Sequence, residues 1–348
     1  MRNTNRVFFL IAFVMVFFAF TFSVLAKGTA KVVLTVDQTA FTKNEDVLVT
    51  VTISNPEKGA IKLLKWYTPF EDVEESLFEV TLDGVPVKYI GRHYKRPQPE
   101  DRDFIILKSG ESLTQTVDLA EYYDFSVSGN YEISYDVKSP NLFEKNNGQI
   151  KQIESLKSNI VSLNAEGRAS KRPPTQPPTG GLNNFRTCTT TQQSSILDAR
   201  SIAATYSSDS LNYLGGATGP RYTTWFGVYD QSRYNTVRSN FTKIKEAIDA
   251  KPMTFDCGCK QRYYAYVYAN QPYTIYICSI FWQAPLQGTD SKAGTLIHET
   301  SHFTVVAGTE DWVYGQAGAK SLASSDPNKA IDNADSHEYF AENTPFQP

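Results

Sequence analysis

Between Lys31 and Leu163 the chain alternates apolar and polar positions in short runs: KVVLTVD, DVLVTVTIS, SLFEVTLDGVPVKYIG, DFIILKSG, LTQTVDL and NYEISYDV. A period of two sends successive side chains to opposite faces of a strand, and turn pairs such as Asp83-Gly84 and Ser109-Gly110 punctuate the runs. This predicts an all-β, Ig-like sandwich over residues 27–164. Further on the period lengthens. Residues 191–207 place Ile196, Ala199, Ile202, Ala203 and Tyr206 on one helical stripe, and Val237 to Ile248 does the same with Phe241, Ile244, Lys245 and Ile248. Aromatic and β-branched strands follow in RYYAYVYANQPYTIYICSIFW, broken at Asn270-Gln271-Pro272, with helices predicted over 292–306, 312–324 and 328–343. Residues 182–348 are therefore expected to form an α+β, mostly helical domain.

Between the halves lies AEGRASKRPPTQPPTGG, residues 165–181, whose prolines and glycines predict an extended, uncondensed linker. Arg168, Lys171 and Arg172 make it a target for proteases, so it reads either as a domain spacer or as a processing site between a propeptide and a mature domain. At the start, Arg2 and Arg6 precede an apolar run from Val7 to Phe22 and small residues up to Ala26. That pattern predicts a secretory signal peptide over residues 1–26, with an uncleaved anchor as the plainer alternative. No later stretch is apolar for long enough to span a bilayer, so the product is expected to be secreted, with no membrane association after signal removal. A formal net charge of -3, without basic blocks, supports no nucleic-acid role. The four cysteines, Cys188, Cys257, Cys259 and Cys278, read in an exported chain as two disulfides, and spacing alone leaves their pairing open.

Candidate chemistry concentrates in HETSHFTVVAGTEDWVYG, residues 298–315. On a helix, positions four apart face the same way, so His298 and His302 can both ligate one zinc while Glu299 sits beside it to take a proton from water. The chain has only four histidines, and two fall at this spacing. His93, alone among strands, reads as structural or solvated.

The third ligand decides the class. A metzincin would need glycine at 305 and histidine at 308, where the chain has Val305 and Gly308. Glu338 or Glu342 could serve in the manner of a gluzincin, and His337 is a further candidate, although a supporting structural role suits it better. Nearer in sequence, Gly308 can reverse the chain and return Asp311 towards the metal, leaving a fourth position open for water. Tyr314 would then lie one helical turn beyond Asp311, placed to hydrogen-bond a developing oxyanion.

HETSHF and GTEDWVYG together resemble the paired motifs of the aspzincin (deuterolysin-family) metalloendopeptidases, and the continuation GQAGAKSLASSDPNKAIDNADSHEYFAENTPFQP is similar to their peptidyl-Lys branch. The resemblance covers about residues 182–348, most strongly the last fifty or so. It implies one zinc per chain on His298, His302 and Asp311, Glu299 as general base, Tyr314 as transition-state donor, and disulfides Cys188–Cys257 and Cys259–Cys278. For the β-rich first half it implies only a propeptide.

Asp335 and Glu338, three apart, share a helix face. They read as a solvated acidic face or as a pocket for a cationic side chain, and the resemblance places them where lysine is received on the carboxyl side of the cut. The expected function is thus a secreted zinc metalloendopeptidase that cuts proteins and peptides before lysine, with its own propeptide as inhibitor or folding aid. Such an enzyme could cut its own linker between Ser170 and Lys171. The alternatives are a broader gluzincin-type protease with Glu338 as ligand, and a secreted β-sandwich binding module with a structural metal.

Overall fold

The computed structural model describes residues 30–139, 142–143, 154–216 and 218–348. The expected signal peptide lies outside the described residues. In the first half, strands Lys31–Thr35, Leu48–Ser54 and Ser112–Asp118 form an antiparallel sheet. A second sheet runs Ala40–Phe41, Val161–Ala165, Gly129–Ser139, Phe78–Leu82 and Val85–Pro86, with Glu154–Lys157 also pairing on Gly129–Ser139. Alternation decides which residues face inward: Val49, Val51 and Ile53 from the first sheet meet Val80, Tyr131, Ile133 and Tyr135 from the second in one buried core.

The second half carries α1 (Thr190–Tyr213), α2 (Pro220–Phe226), α3 (Gln231–Ala250), α4 (Lys292–His302), α5 (Gly315–Ser325), α6 (Pro327–Ala330) and α7 (Ala334–Glu342). Its own core joins Ile196, Ala199 and Ala203 of α1 to Val237, Phe241 and Ile244 of α3 and to Leu296 and Ile297 of α4. Disulfides Cys188–Cys257 and Cys259–Cys278 pin its strands.

Four expectations need correction. The helix predicted over 292–306 stops at His302, because Phe303 turns to extended backbone (ψ 128°) and residues 304–307 form a turn closed by Gly308 at φ +65°. The helix predicted from 312 begins at Gly315, and the one predicted over 328–343 is split in two before Ala334. The linker is not free chain: Lys171 pairs with Asp46, Asp118 and Glu121, the Arg172 side chain donates to Glu121 O, and Asn270 of the second half donates to Arg172 O at 2.6 Å.

One strand crosses between the halves. Arg92–Lys95, from the first half, is the edge strand of a sheet ordered Asn183–Arg186, Met253–Asp256, Thr274–Ile277, Ala265–Tyr268 and Arg92–Lys95. It runs antiparallel to Ala265–Tyr268, with Lys95 opposite Ala265 and His93 opposite Val267.

Candidate active site

Helix α4 is buried from Ala293 to His302. Ser291 caps its start by accepting from Gly294 N at 2.9 Å and is itself held by Glu342 of α7. Gly294 allows α7 to come close: a Cβ there would meet Glu342 Oε1 at 2.1 Å. At the other end the turn closed by Gly308 brings Glu310 alongside the start of α7, where Glu310 N donates to Asp332 O and Ala334 N to Glu310 O. Asn333 fastens the same junction, accepting from Val313 N at 3.1 Å. Asp311 and Asp335 are thereby drawn to the two sides of His298.

Asp311 lies between the two histidines, with Oδ1 3.3 Å from His298 Nε2 and Oδ2 3.4 Å from His302 Nε2. The far side of each ring is occupied. His302 Nδ1 is 2.7 Å from Thr309 O, and His298 Nδ1 is 2.9 Å from Asp335 Oδ1. The Thr309 carbonyl at His302 Nδ1 keeps the proton there and turns the His302 Nε2 lone pair towards the centre, while Asp335 stands beside His298 Nδ1 as an ionic neighbour. His298 Nε2, His302 Nε2 and Asp311 Oδ1 are all buried without a hydrogen-bond partner among the described residues. Buried orphans of this kind are costly, and two imidazole nitrogens with a carboxylate oxygen are a donor set that suits zinc.

Electrostatics agree with that donor set. Burial pushes His302 down to about 3, so its ring is neutral. Burial opposes ionisation of Asp311, yet His302 and His298 hold its carboxyl well below the ordinary range. Burial also opposes charge on His298, but Asp311, Asp335 and Glu338 raise it well above an ordinary imidazole; such a field favours a cation. Glu299, fully buried, is pushed up to about 8 by desolvation, in the range of a group that both takes and returns a proton near neutrality.

The acidic pair is not a solvated face: both carboxylates are buried and are paired from within the chain. Lys95 Nζ sits 2.9 Å from both Asp335 Oδ1 and Glu338 Oε2 and 3.0 Å from Asp290 Oδ1, with Tyr339 OH at 3.4 Å. Lys95 has no exposed surface, and burial works against its charge, but Asp335 and Glu338 raise it well above an ordinary lysine. Its backbone N donates to Glu299 Oε1 at 3.0 Å, and Tyr94 N to Asp311 Oδ2 at 3.2 Å. His93 stacks on the His302 ring, with centroids 4.6 Å apart.

Sequence reasoning missed four of these participants. Lys95 goes unread among the strands of the first half, and His93, read as structural or solvated, is buried against the His302 ring. Asp290, the third carboxylate at the Lys95 ammonium, directly precedes the Ser291 cap of α4, which is the available signal. Glu75 accepts from Tyr314 OH at 2.7 Å. Tyr314 does not follow Asp311 by a helical turn, since residues 311–314 lie outside any helix. Glu338 stands 3.4 Å from His298 Nδ1, on the ring side away from Asp311, and His337 faces Phe226, Phe241 and Asn240 instead of the centre.

A model of the family Aspzincin_M35, described as lysine-specific metallo-endopeptidase, matches residues 215–342. The chain is 46% identical over 313 residues to an extracellular protease of Aeromonas hydrophila, covering 87% of this chain and 90% of the relative. It is 36% identical to a peptidyl-Lys metalloendopeptidase of Armillaria mellea, covering 87% and 89% respectively. A solved zinc peptidase from Grifola frondosa shares 50% identity over 46% of this chain and 100% of its own, with a TM-score of 0.45.

Proposed function

The chain belongs to the Aspzincin_M35 family of metallo-endopeptidases, and from that premise we propose that it is a secreted zinc endopeptidase that hydrolyses the bond on the amino side of lysine. In this reading residues 1–26 are a signal peptide, the sandwich of 27–164 is a propeptide, 165–181 is the processed linker, and 182–348 is the enzyme. The observation that carries the specificity is the Lys95 ammonium between Asp335 and Glu338, with the Lys95 amide nitrogen at Glu299. A substrate lysine placed the same way has its preceding peptide bond at the metal-binding centre, so the cut falls before it.

His298, His302 and Asp311 would hold the zinc, which supplies Lewis acidity towards water and the scissile carbonyl when bound. Glu299 takes a proton from the attacking water and returns it to the departing lysine nitrogen, the atom whose place Lys95 N occupies at 3.0 Å. Tyr314 donates to the oxyanion that develops on the carbonyl. Burial, with Asp311 and Glu75 beside it, raises this phenol well above its ordinary value, so it keeps the proton it must donate. Edge pairing with Ala265–Tyr268 fixes substrate register through the backbone and leaves selection to the pocket. The relatives named as an extracellular protease and peptidyl-Lys metalloendopeptidases support export and specificity, and no described helix is long and apolar enough to cross a membrane.

The first half then acts as an intramolecular inhibitor, because its Arg92–Lys95 strand occupies both the sheet edge and the pocket. The test is mass spectrometry of peptides released from a denatured protein mixture by the linker-cleaved chain, with and without a zinc chelator. Chelator-sensitive cuts before lysine are expected. Scattered cuts would refute the pocket assignment, and chelator-insensitive cuts the metal assignment.

A further inference from the structure

The bond between Tyr94 and Lys95 is laid in the cleft as a bond to be cut. Its nitrogen donates to Glu299, its lysine fills the pocket, and the strand on its amino side pairs with the sheet edge. If the first half is to block the enzyme, something must keep this bond whole.

Tyr314 is the part out of place. Although it belongs to the second half, it is 3% exposed within the buried core of the first, edge-on to Trp66 at 6.0 Å between ring centroids. Its hydroxyl donates to Glu75 Oε1 at 2.7 Å. A phenol has one proton to donate, and while Glu75 accepts it none remains for an oxyanion on Tyr94. Glu75 is held in turn by Arg96, whose Nε donates to the same oxygen at 2.7 Å and whose Nη1 reaches Glu74 at 3.1 Å. The Arg96 guanidinium packs against the rings of Trp66, Tyr94 and Tyr263, at 4.7, 4.5 and 4.6 Å from their centroids. Arg96 directly follows Lys95, so the segment that offers the bond also orients the carboxylate that disarms the site.

We propose that Tyr94–Lys95 is a latent self-hydrolysis site, kept whole in the full chain because Glu75 holds the Tyr314 phenol. The inference rests on the endopeptidase reading of the same centre. In the step itself, water adds to the Tyr94 carbonyl and the carbon–nitrogen bond to Lys95 breaks. Tyr94 leaves as a carboxylate, and Glu299 carries the two protons of the water in turn to the Lys95 nitrogen, which leaves as an ammonium. Glu75 is a positioning residue and touches no reacting atom.

The test is the zinc-loaded full chain carrying Glu75→Leu, which removes the acceptor and leaves Glu74 to pair with Arg96. Losing one oxyanion donor costs on the order of 10²-fold in rate, so hydrolysis at Tyr94–Lys95 should rise by about that factor over the unaltered chain. The fragments ending at Tyr94 and starting at Lys95 should appear before any other, at a first-order rate independent of protein concentration, and should vanish when Glu299→Gln is added. A folded Glu75→Leu chain that stays whole at this bond, while the linker-cleaved protein cuts lysyl peptides, overturns the proposal. A second measurement needs no variant: a synthetic peptide of residues 90–99, whose single lysine is Lys95, is offered to the linker-cleaved protein. Cleavage between Tyr94 and Lys95 is expected. Survival of this peptide while other lysyl peptides are cut would mean that the bond resists without Glu75, and the proposal fails. A linker-cleaved protein that cuts no peptide at all removes the endopeptidase reading and this proposal with it.

Discussion

Replacing Lys95 by methionine tests whether its contact with Asp335 and Glu338 holds the Arg92–Lys95 strand in the cleft, as the proposed inhibition requires. Methionine keeps an unbranched chain of similar length and removes only the charge and its donors. In the full chain that charge faces Asp335 and Glu338 at 2.9 Å each and Asp290 at 3.0 Å, and the lysine has no exposed surface. Removing one partner of a buried ion pair costs about 3–5 kcal/mol, because the remaining charge is left without water or counter-ion. When the strand leaves, the carboxylates regain water, so the cost falls on the closed state alone. At about 1.4 kcal/mol per tenfold, the open population should rise by about two to three and a half powers of ten. The assay is the initial rate of hydrolysis of a quenched peptide with a single lysine by the full chain with its linker intact. Lys95→Met should leak activity by about that factor, and Lys95→Arg by less, since a guanidinium keeps the charge but its wide fork does not match a closed site built around a compact ammonium. A Lys95→Met chain that melts like the unaltered protein and remains equally latent would refute the argument and shift the inhibition to the surrounding interface.

Glu299→Gln should abolish turnover in the linker-cleaved protein, with metal content by elemental analysis unchanged, because the Asp311 carboxylate, and not Glu299, lies between the His298 and His302 rings, while Glu299 faces the Lys95 amide; retained turnover would remove it as the base. Asp335→Asn should lower both lysine preference and metal retention, since Asp335 Oδ1 also lies 2.9 Å from His298 Nδ1, whereas Glu338→Gln should chiefly lower lysine preference. Equal metal loss in both variants, followed by chelator titration, would contradict that division. Trypsin should nick the linker after Lys171 faster at 1 M salt than at 0.1 M, relative to a free linker peptide, because the partly exposed ion pairs of Lys171 with Asp46, Asp118 and Glu121 weaken as the Debye length falls from about 10 to about 3 Å.

What could be read from the chain in advance was whatever is encoded locally. The i, i+4 histidines and the apolar positions of α4 belong to one helical period, and Gly308 takes the positive φ that the reversal towards Asp311 requires. Asp335 and Glu338 are likewise neighbours on α7, the second of the two helices into which the predicted span 328–343 divides. Tyr314 was misplaced because its geometry depends on an extended segment held by Asn333 at the mouth of α7, a tertiary contact without a local signature. The α2 helix escaped for a similar reason, its seven residues being too short to display a period.

Arg92–Lys95 was illegible on stronger grounds. A strand that completes its own domain is shaped by that domain's core and shows the period of two, but this one serves a cleft formed by residues some way along the chain. What the cleft asks of it is a backbone able to pair at a sheet edge and one lysine at one register position, and neither requirement produces a pattern. Only the specificity assignment supplies a way in. Once Asp335 and Glu338 are taken as a lysine pocket, every lysine before the linker becomes a candidate occupant, and the one followed by an arginine that can reach Glu74 and Glu75 is Lys95. On the proposed reading the Arg92–Lys95 strand is therefore written in the language of the substrate, and a change in pocket preference should require a matching change at position 95 for the full chain to be latent.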